Sequence, residues 1–318
     1  MAALRVDVAP PTELRLSPAV RRAAAEHQID PLSVRGTGRD GRVTKADIDS
    51  AVMVRGATEP QVHAQLVGVT PALKDVDAAS RSSLPGSRDV PHDRMRRSIA
   101  QNVLNSVTVA PHVTAVFEAD FSAIMAHRRK HKAVFEKQGV SLTFTTYFVA
   151  ASVIAMRVAP AINSRWHEDR LEIFNDVNVG VGTALGDNGL VVPVIHYAQT
   201  LSLLGIASRL QDITTRARCS KLDVGDTKGG TFTISNHGIS GSLFASPIII
   251  NQPESAILGI GKLEKRVVVR EVGGVDTIQI RPLSYVSLTI DHRVVDGHQT
   301  NGWLSSFVQT LEQWPLDD

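Results

Sequence analysis

The periodicity of this chain breaks off over one long stretch, between residues 53 and 90, and that interruption decides how the rest can fold. The sequence there includes GATEPQVHAQ and DAASRSSLPGSRDVP, rich in Ala, Ser, Pro and Gly with scattered charges. Such a composition buries too little apolar area to offset its ordering entropy. An extended, mobile linker is therefore expected over residues 53–89. It separates a small unit, residues 14–52, from a large one, residues 90–318.

The small unit has a compact grammar. Ser17-Pro18 opens a helix through Glu26, a loop with Gly36, Gly38 and Gly41 follows, and Thr44 caps a second helix carrying Ile48 and Val52. Some 40 residues bury little surface alone, so this unit should be marginally stable. The large unit mixes both periods. Helical patterns are read at Met95–Leu104 and Phe144–Val158, with a closing helix at Gly302–Trp314. Strand patterns are read at Val113–Asp120, Val177–Val181, Val191–Ile195, Gly230–Ser235, Ala256–Ile260, Arg266–Val272 and Leu283–Ile290. One α+β domain is expected.

Several function classes fall away on composition. With 34 Lys and Arg against 32 Asp and Glu, the net charge of +2 argues against a phosphate-neutralising surface and hence against nucleic acid. A single cysteine, Cys219, forms no internal disulfide and has no Cys neighbour at metal-ligand spacing. Pro10 and Pro11 interrupt the apolar run that a secretion signal needs. The most apolar segment, Phe144–Ala159, carries Arg157 and is shorter than the roughly 20 residues of a membrane span.

Chemistry concentrates in Asp291-His292-Arg293-Val294-Val295-Asp296-Gly297-His298, which directly follows the strand Tyr285–Ile290. A strand end beside a glycine turn is where sites are commonly built. An imidazole titrating near neutrality can take a proton from a thiol, and flanking carboxylates can fix its tautomer. A solvated loop of mixed charge accounts equally for Asp291, Arg293 and Asp296. A metal site on His292, Asp296 and His298 is a rival without supporting ligands or a recognised spacing.

The octapeptide resembles the DHRxxDG signature of the dihydrolipoamide acyltransferases, the core subunits of 2-oxo acid dehydrogenase complexes. Further stations follow in that family's order: Val90-Pro91 through Ile99-Ala100, Pro111-His112-Val113-Thr114, Gly189–Val194, Gly229–Asn236, Ser246–Pro253 and Ala256–Gly259. The resemblance implies a chloramphenicol-acetyltransferase-like catalytic domain with a mixed sheet over residues 90–318. It makes His292 the base that deprotonates the attacking thiol, carries the family's Asp onto Asp296, and makes Ser235 the hydroxyl that stabilises the oxyanion. Asp291 and Arg293 become structural charges, and His237 and His298 stand outside the family pattern. The segment Gly241–Phe244 to Pro253 looks closer to succinyl-transferring members, with acetyl and branched-chain groups left open.

Residues 14–52 resemble the family's peripheral-subunit-binding domain, through Ser17–Arg22 and Gly36–Val43. This implies that Arg21, Arg22 and Arg42 face acidic surfaces on dihydrolipoamide dehydrogenase or the 2-oxo acid decarboxylase; solvated arginines on a helix are the plain alternative. The family's lipoyl lysine sits in an Asp-Lys-Ala-like turn, and no Asp-Lys dipeptide occurs here. The lipoyl group is therefore expected from another domain or chain, with coenzyme A as the second substrate. Homotrimers assembling into a cubic or dodecahedral core, in a bacterial cytoplasm or mitochondrial matrix, are also implied, without a bound metal. The rivals are a non-catalytic scaffold recruiting partner enzymes and an acyltransferase acting on a small molecule.

Overall fold

The computed structural model describes residues 16–27, 29–38, 42–58, 86–186 and 189–317, and the chain divides into two compact units, residues 1–89 and 90–318. In the small unit, α1 (Pro18–Glu26) begins where Ser17 Oγ accepts a hydrogen bond from Val20 N at 3.3 Å and Pro18 fills the first helical turn. Its buried side, Val20, Ala23 and Ala24, packs with Val43 and with Ile48 of α2 (Lys45–Thr58).

The glycine loop is tied to α2 by one carboxylate. Asp47 accepts from Thr37 N at 3.0 Å, Thr37 Oγ1 at 2.6 Å, Thr44 N at 2.8 Å and Thr44 Oγ1 at 2.9 Å. These bonds, led by the Thr37 hydroxyl, hold its pKa well below the usual aspartate value. Helix α2 runs to Thr58, so the first part of the expected linker is helical. The run Ala51–Arg55 contains no breaker, and the first proline comes only at Pro60. Residues 59–85 lie outside those described.

The large unit opens with α3 (Arg94–Val109), β1 (His112–Asp120), α4 (Ser122–Lys137) and α5 (Phe144–Ala155). Six short strands follow: β2 (Ser164–Trp166), β3 (Leu171–Ile173), β4 (Val179–Val181), β5 (Thr183–Ala184), β6 (Leu190–Val191) and β7 (Val194–Ile195). Then come α6 (Leu203–Arg218), β8 (Phe232–Asn236), β9 (Ala256–Ile260), β10 (Glu264–Val272), β11 (Val275–Asp291) and α7 (Gly297–Glu312). The expected strand Val191–Ile195 is split, because Pro193 has no N–H for a ladder. The closing helix starts at Gly297 instead of Gly302, since Asp296 caps it there. Among the described residues no helix is long and apolar enough to cross a membrane.

The main sheet runs β1-β11-β9-β8-β4-β7, with β10 paired to the first half of β11. It is mixed: β8 is parallel to both β9 and β4, and the other pairs are antiparallel. Alternation gives the central strands two different faces. Phe232, Ile234, Leu258, Ile260, Val286, Leu288 and Ile290 form one, buried with α5 and α7 in a single core. Trp303 of α7 stands 5.4 Å from Phe232 and stacks on Phe307 at 5.3 Å, centroid to centroid. Thr233, Ser235, Gly259, Ser287 and Thr289 form the other.

That second face is polar and its hydroxyls are largely committed. Thr289 Oγ1 and Thr114 Oγ1 share a hydrogen bond at 2.8 Å, and Ser287 Oγ donates to Ala245 O at 3.2 Å. Thr233 Oγ1 donates at 2.7 Å to Glu254, whose other carboxyl oxygen accepts from Asn251 Nδ2 at 3.0 Å. Glu254 is fully buried with no cation beside it, so its pKa is pushed up to about 7, the two hydrogen bonds opposing.

Two stability predictions follow from these carboxyls. A folded carboxyl with a raised pKa holds its proton while the unfolded one loses it, so stability falls as pH rises between about 4.5 and 7. Glu254→Gln should flatten that fall and raise stability above pH 7 by up to about 3 kcal/mol; denaturant unfolding across this pH range checks it, and an unchanged slope counts against it. The depressed Asp47 works the other way: its contribution is present above pH 3.8 and lost as pH falls further. Helical circular dichroism of the small unit should accordingly be lost on acidification, and at neutral pH in Asp47→Ala.

Candidate active site

The polar octapeptide begins where β11 ends. Asp291 is the last residue of β11, opposite His112 of β1, and its N–H donates to Ser255 O at 2.8 Å. Its buried carboxylate receives the Arg293 guanidinium in a two-point clasp, Nε to Oδ1 at 3.0 Å and Nη2 to Oδ2 at 2.6 Å, and also the Arg293 backbone N–H at 3.0 Å. The guanidinium lies 5.2 Å from the ring centre of Trp166 on β2. Such a bidentate pair fixes geometry as well as charge. Asp291 and Arg293 thus hold the turn closed.

The residue between them is the one left outward. His292 N donates to Pro111 O at 2.9 Å, which anchors its backbone, while its ring is exposed and makes no hydrogen bond among the described residues. Val295, 3% exposed, plugs the following turn into the core. Asp296 then caps α7: its Oδ1 accepts from Gln299 N at 3.0 Å, and Gln299 returns a bond to the Asp296 N–H at 3.3 Å. The Asp296 carboxylate therefore sets where α7 starts and forms no hydrogen bond or ion pair with the His292 ring. His298 is exposed in the first turn of α7. No group of three or more His, Cys, Asp or Glu among the described residues could hold a metal ion.

Ser235 stands at the other end of the sheet. Ile234 is buried in the core, so alternation turns Ser235 onto the polar face. In register, Ser235 lies opposite Gly259 of β9, and Gly259 opposite Ser287 of β11. From Ser287 the strand runs four more residues to Asp291, roughly 13 Å, and β9 intervenes, roughly 10 Å across two strand spacings. Within one chain, His292 and Ser235 are too far apart to share a substrate atom. The structure brings Asp291, His292, Arg293 and Asp296 together and leaves Ser235 apart.

Two groups near the His292 turn are not evident from sequence. His112 bridges Ala110 O (Nδ1, 2.7 Å) and Ile250 N (Nε2, 3.1 Å); because Nε2 accepts, the proton sits on Nδ1. It is a structural histidine that straps β1 to the segment before β9. Glu254 precedes β9 by two residues, and nothing in its local sequence marks it as buried. In the small unit Arg21, Arg22 and Arg42 are all exposed. Cys219, the C-cap of α6, is exposed and free.

Comparison with known proteins adds an independent line. The family described as 2-oxoacid dehydrogenases acyltransferase (catalytic domain) matches residues 85–316, and the e3 binding domain matches residues 14–49. The succinyltransferase component of the 2-oxoglutarate dehydrogenase complex of Rickettsia bellii is 36% identical over 300 residues, 93% of this chain and 70% of the relative. The lipoamide acyltransferase component of the branched-chain alpha-keto acid dehydrogenase complex of Bacillus subtilis is 36% identical over 310 residues, 95% of this chain and 72% of the relative. A crystal structure of Azotobacter vinelandii dihydrolipoamide acetyltransferase superposes with a TM-score of 0.66 at 31% identity, covering 71% of this chain and 91% of that one. That structure belongs to a study of a serine, a histidine and an asparagine in its catalytic mechanism. With the catalytic-domain match spanning nearly the whole large unit, the chain belongs to the 2-oxoacid dehydrogenase acyltransferase family.

Proposed function

We propose that this chain transfers an acyl group between dihydrolipoamide and coenzyme A, with His292 as general base and Ser235 as oxyanion donor. The observation that carries the reading is the clasped turn: Asp291 and Arg293 grip each other on either side of an exposed imidazole. A solvated loop needs no such anchoring.

In the forward direction His292 takes the proton of the coenzyme A thiol, and the thiolate attacks the carbonyl carbon of the acyl-dihydrolipoyl thioester. The carbonyl electrons move onto oxygen, and the Ser235 hydroxyl donates to the oxyanion as its charge develops. Collapse breaks the original carbon–sulfur bond, and the dihydrolipoyl thiolate takes the proton back from the imidazolium. Asp296 serves this chemistry indirectly, by capping α7 five residues after Asp291.

The separation of His292 from Ser235 along the sheet supports a site shared between copies, His292 meeting Ser235 of the partner subunit, as in a homotrimer. A larger cubic or dodecahedral core fits the same family. The lipoyl group is supplied by another domain or chain. Residues 14–52 recruit dihydrolipoamide dehydrogenase, or the decarboxylase, by setting Arg21, Arg22 and Arg42 against acidic groups.

His292→Ala should lower transfer between coenzyme A and dihydrolipoamide by roughly 10²- to 10⁴-fold, and Ser235→Ala by roughly 10²- to 10³-fold. Near-normal rates in either variant remove that residue from the mechanism. Co-expressing the two variants should restore a measurable fraction of activity, because some shared sites regain both residues; mixed oligomers no better than the single variants argue for sites within one chain. Reversing Arg21, Arg22 and Arg42 to Glu should abolish salt-sensitive capture of dihydrolipoamide dehydrogenase while leaving acyl transfer intact. Unchanged binding by equilibrium titration would count against the arginine surface.

A further inference from the structure

The backbone N–H of His292 is held by one carbonyl, and that carbonyl lies within a closed circuit of hydrogen bonds. Pro111, whose O accepts from His292 N at 2.9 Å, is exposed and stands between Ala110, the C-cap of α3, and His112, the first residue of β1. Ala110 N donates to Ser106 O at 3.1 Å, and the His112 imidazole donates from Nδ1 to Ala110 O at 2.7 Å. Ile250 N donates in turn to His112 Nε2 at 3.1 Å, and Ser106 Oγ donates to Ile250 O at 2.7 Å. The path therefore runs from Ser106 through Ala110, His112 and Ile250 and returns to Ser106. Ser106, Ala110 and Ile250 are all buried, so opening the circuit leaves a polar group unpaired away from water.

The circuit also joins the two outside supports of the turn that carries His292. One support is Pro111 O; the other is Ser255 O, which accepts from Asp291 N at 2.8 Å. Pro111 belongs to the corner between α3 and β1, whereas Ser255 ends the segment that leads from Ile250 into β9. In the sheet β1 and β9 are not neighbours, since β11 runs between them. The bonds from His112 and Ser106 to Ile250 thus connect two segments that the sheet itself does not pair. Both imidazole nitrogens of His112 are spent on this connection, so neither is left for a substrate.

We propose that His112 is a positioning residue for His292, the strut that fixes the Pro111 carbonyl relative to the Ile250–Ser255 segment. This rests on the reading of His292 as general base. A base has to stand within hydrogen-bond reach of the proton it takes, and a misplacement of about 1 Å can lower a rate by about 10²-fold. Removing the Nε2 acceptor leaves the buried Ile250 N–H unpaired and frees the corner to shift, and the His292 backbone moves with Pro111. Because His112 acts through the backbone and holds no substrate, the effect falls on kcat and not on KM.

Transfer to dihydrolipoamide is measured with whichever of succinyl-, acetyl- and isobutyryl-coenzyme A the full chain uses fastest, for His112→Asn and His112→Gln, each alone and combined with His292→Ala. Asparagine sets its amide near the place of Nδ1 and keeps a donor for Ala110 O, while the longer glutamine brings an acceptor oxygen to the place of Nε2. His112→Asn should lower kcat roughly ten- to hundredfold, with KM for either substrate changed less than about threefold, and His112→Gln should recover most of that loss. In the His292→Ala background neither change should lower the residual rate more than about twofold, since two residues acting on one step are not additive. A folded His112→Asn that keeps its kcat, a glutamine variant no better than the asparagine one, or a loss of the same size with and without His292 overturns the strut and leaves the acyltransferase reading standing. If His112→Asn does not fold, Ser106→Ala opens the same circuit at Ile250 O; it should lower kcat roughly three- to tenfold, again only where His292 is present, and an unchanged kcat overturns the strut. A near-normal rate in His292→Ala alone, or a full chain that transfers none of the three groups, overturns the reading of the base and the strut with it.

Discussion

The alternation of side chains along β8, β9 and β11 is the constraint on which the rest of the large unit depends. One set of positions, Phe232, Ile234, Leu258, Val286 and Leu288, closes the core against α5 and α7. The other set, Thr233, Ser235, Gly259, Ser287 and Thr289, has to be small or hydroxylated, because it faces a polar layer. A one-residue slip of any of these strands would exchange the two sets, burying hydroxyls in the core and exposing large apolar groups. The hydrophobic effect therefore fixes the register, and the register in turn determines where Ser235 and the end of β11 stand. The chemistry inherits its geometry from packing.

Much of this was legible in the sequence, for identifiable reasons. The strand Ala256–Ile260 and the start of α1 at Pro18 are marked by an unbroken apolar run and by a Ser-Pro cap, both local signals. Strand β11 begins at Val275, eight residues before the Leu283 that its apolar pattern predicts. Its first half, including Ile278 and Ile280, pairs only with β10 and leaves those side chains 78% and 69% exposed, so it lacks the core-facing pattern of the second half. Helices α4 and α6 are poorly marked in the sequence, because their buried positions are interleaved with Arg, Lys and His in one and Thr, Asp and Arg in the other. In the small unit, nothing around Asp47 announces that it gathers four hydrogen bonds across ten residues.

The site divides along the same line. His292 could be singled out because its polar neighbours interrupt a strand pattern, and the clasp between Asp291 and Arg293 explains why those charges are there. The role of Asp296 as a helix cap was hidden, since the helix it starts was expected five residues later. Glu254 and His112 are harder still. What distinguishes each is the identity of its neighbours, which arises from contacts between segments distant in sequence.

The strand that carries Ser235 has a consequence for how the protein reaches its fold. Strand β8 is parallel to both β4 and β9, so neither pairing can close as a hairpin. Its partner β4 lies some fifty residues upstream with α6 between them, and β9 follows only after the loop from His237 to Ser255. Loop-closure entropy must be spent before such contacts return anything. By contrast β10 and β11 meet across a two-glycine turn, Gly273-Gly274, and can pair at once. Ser235 thus sits on a strand both of whose pairings are non-local, and the end of β11 that carries the His292 turn closes on β1 from still farther away in sequence, while only the β10–β11 hairpin forms locally.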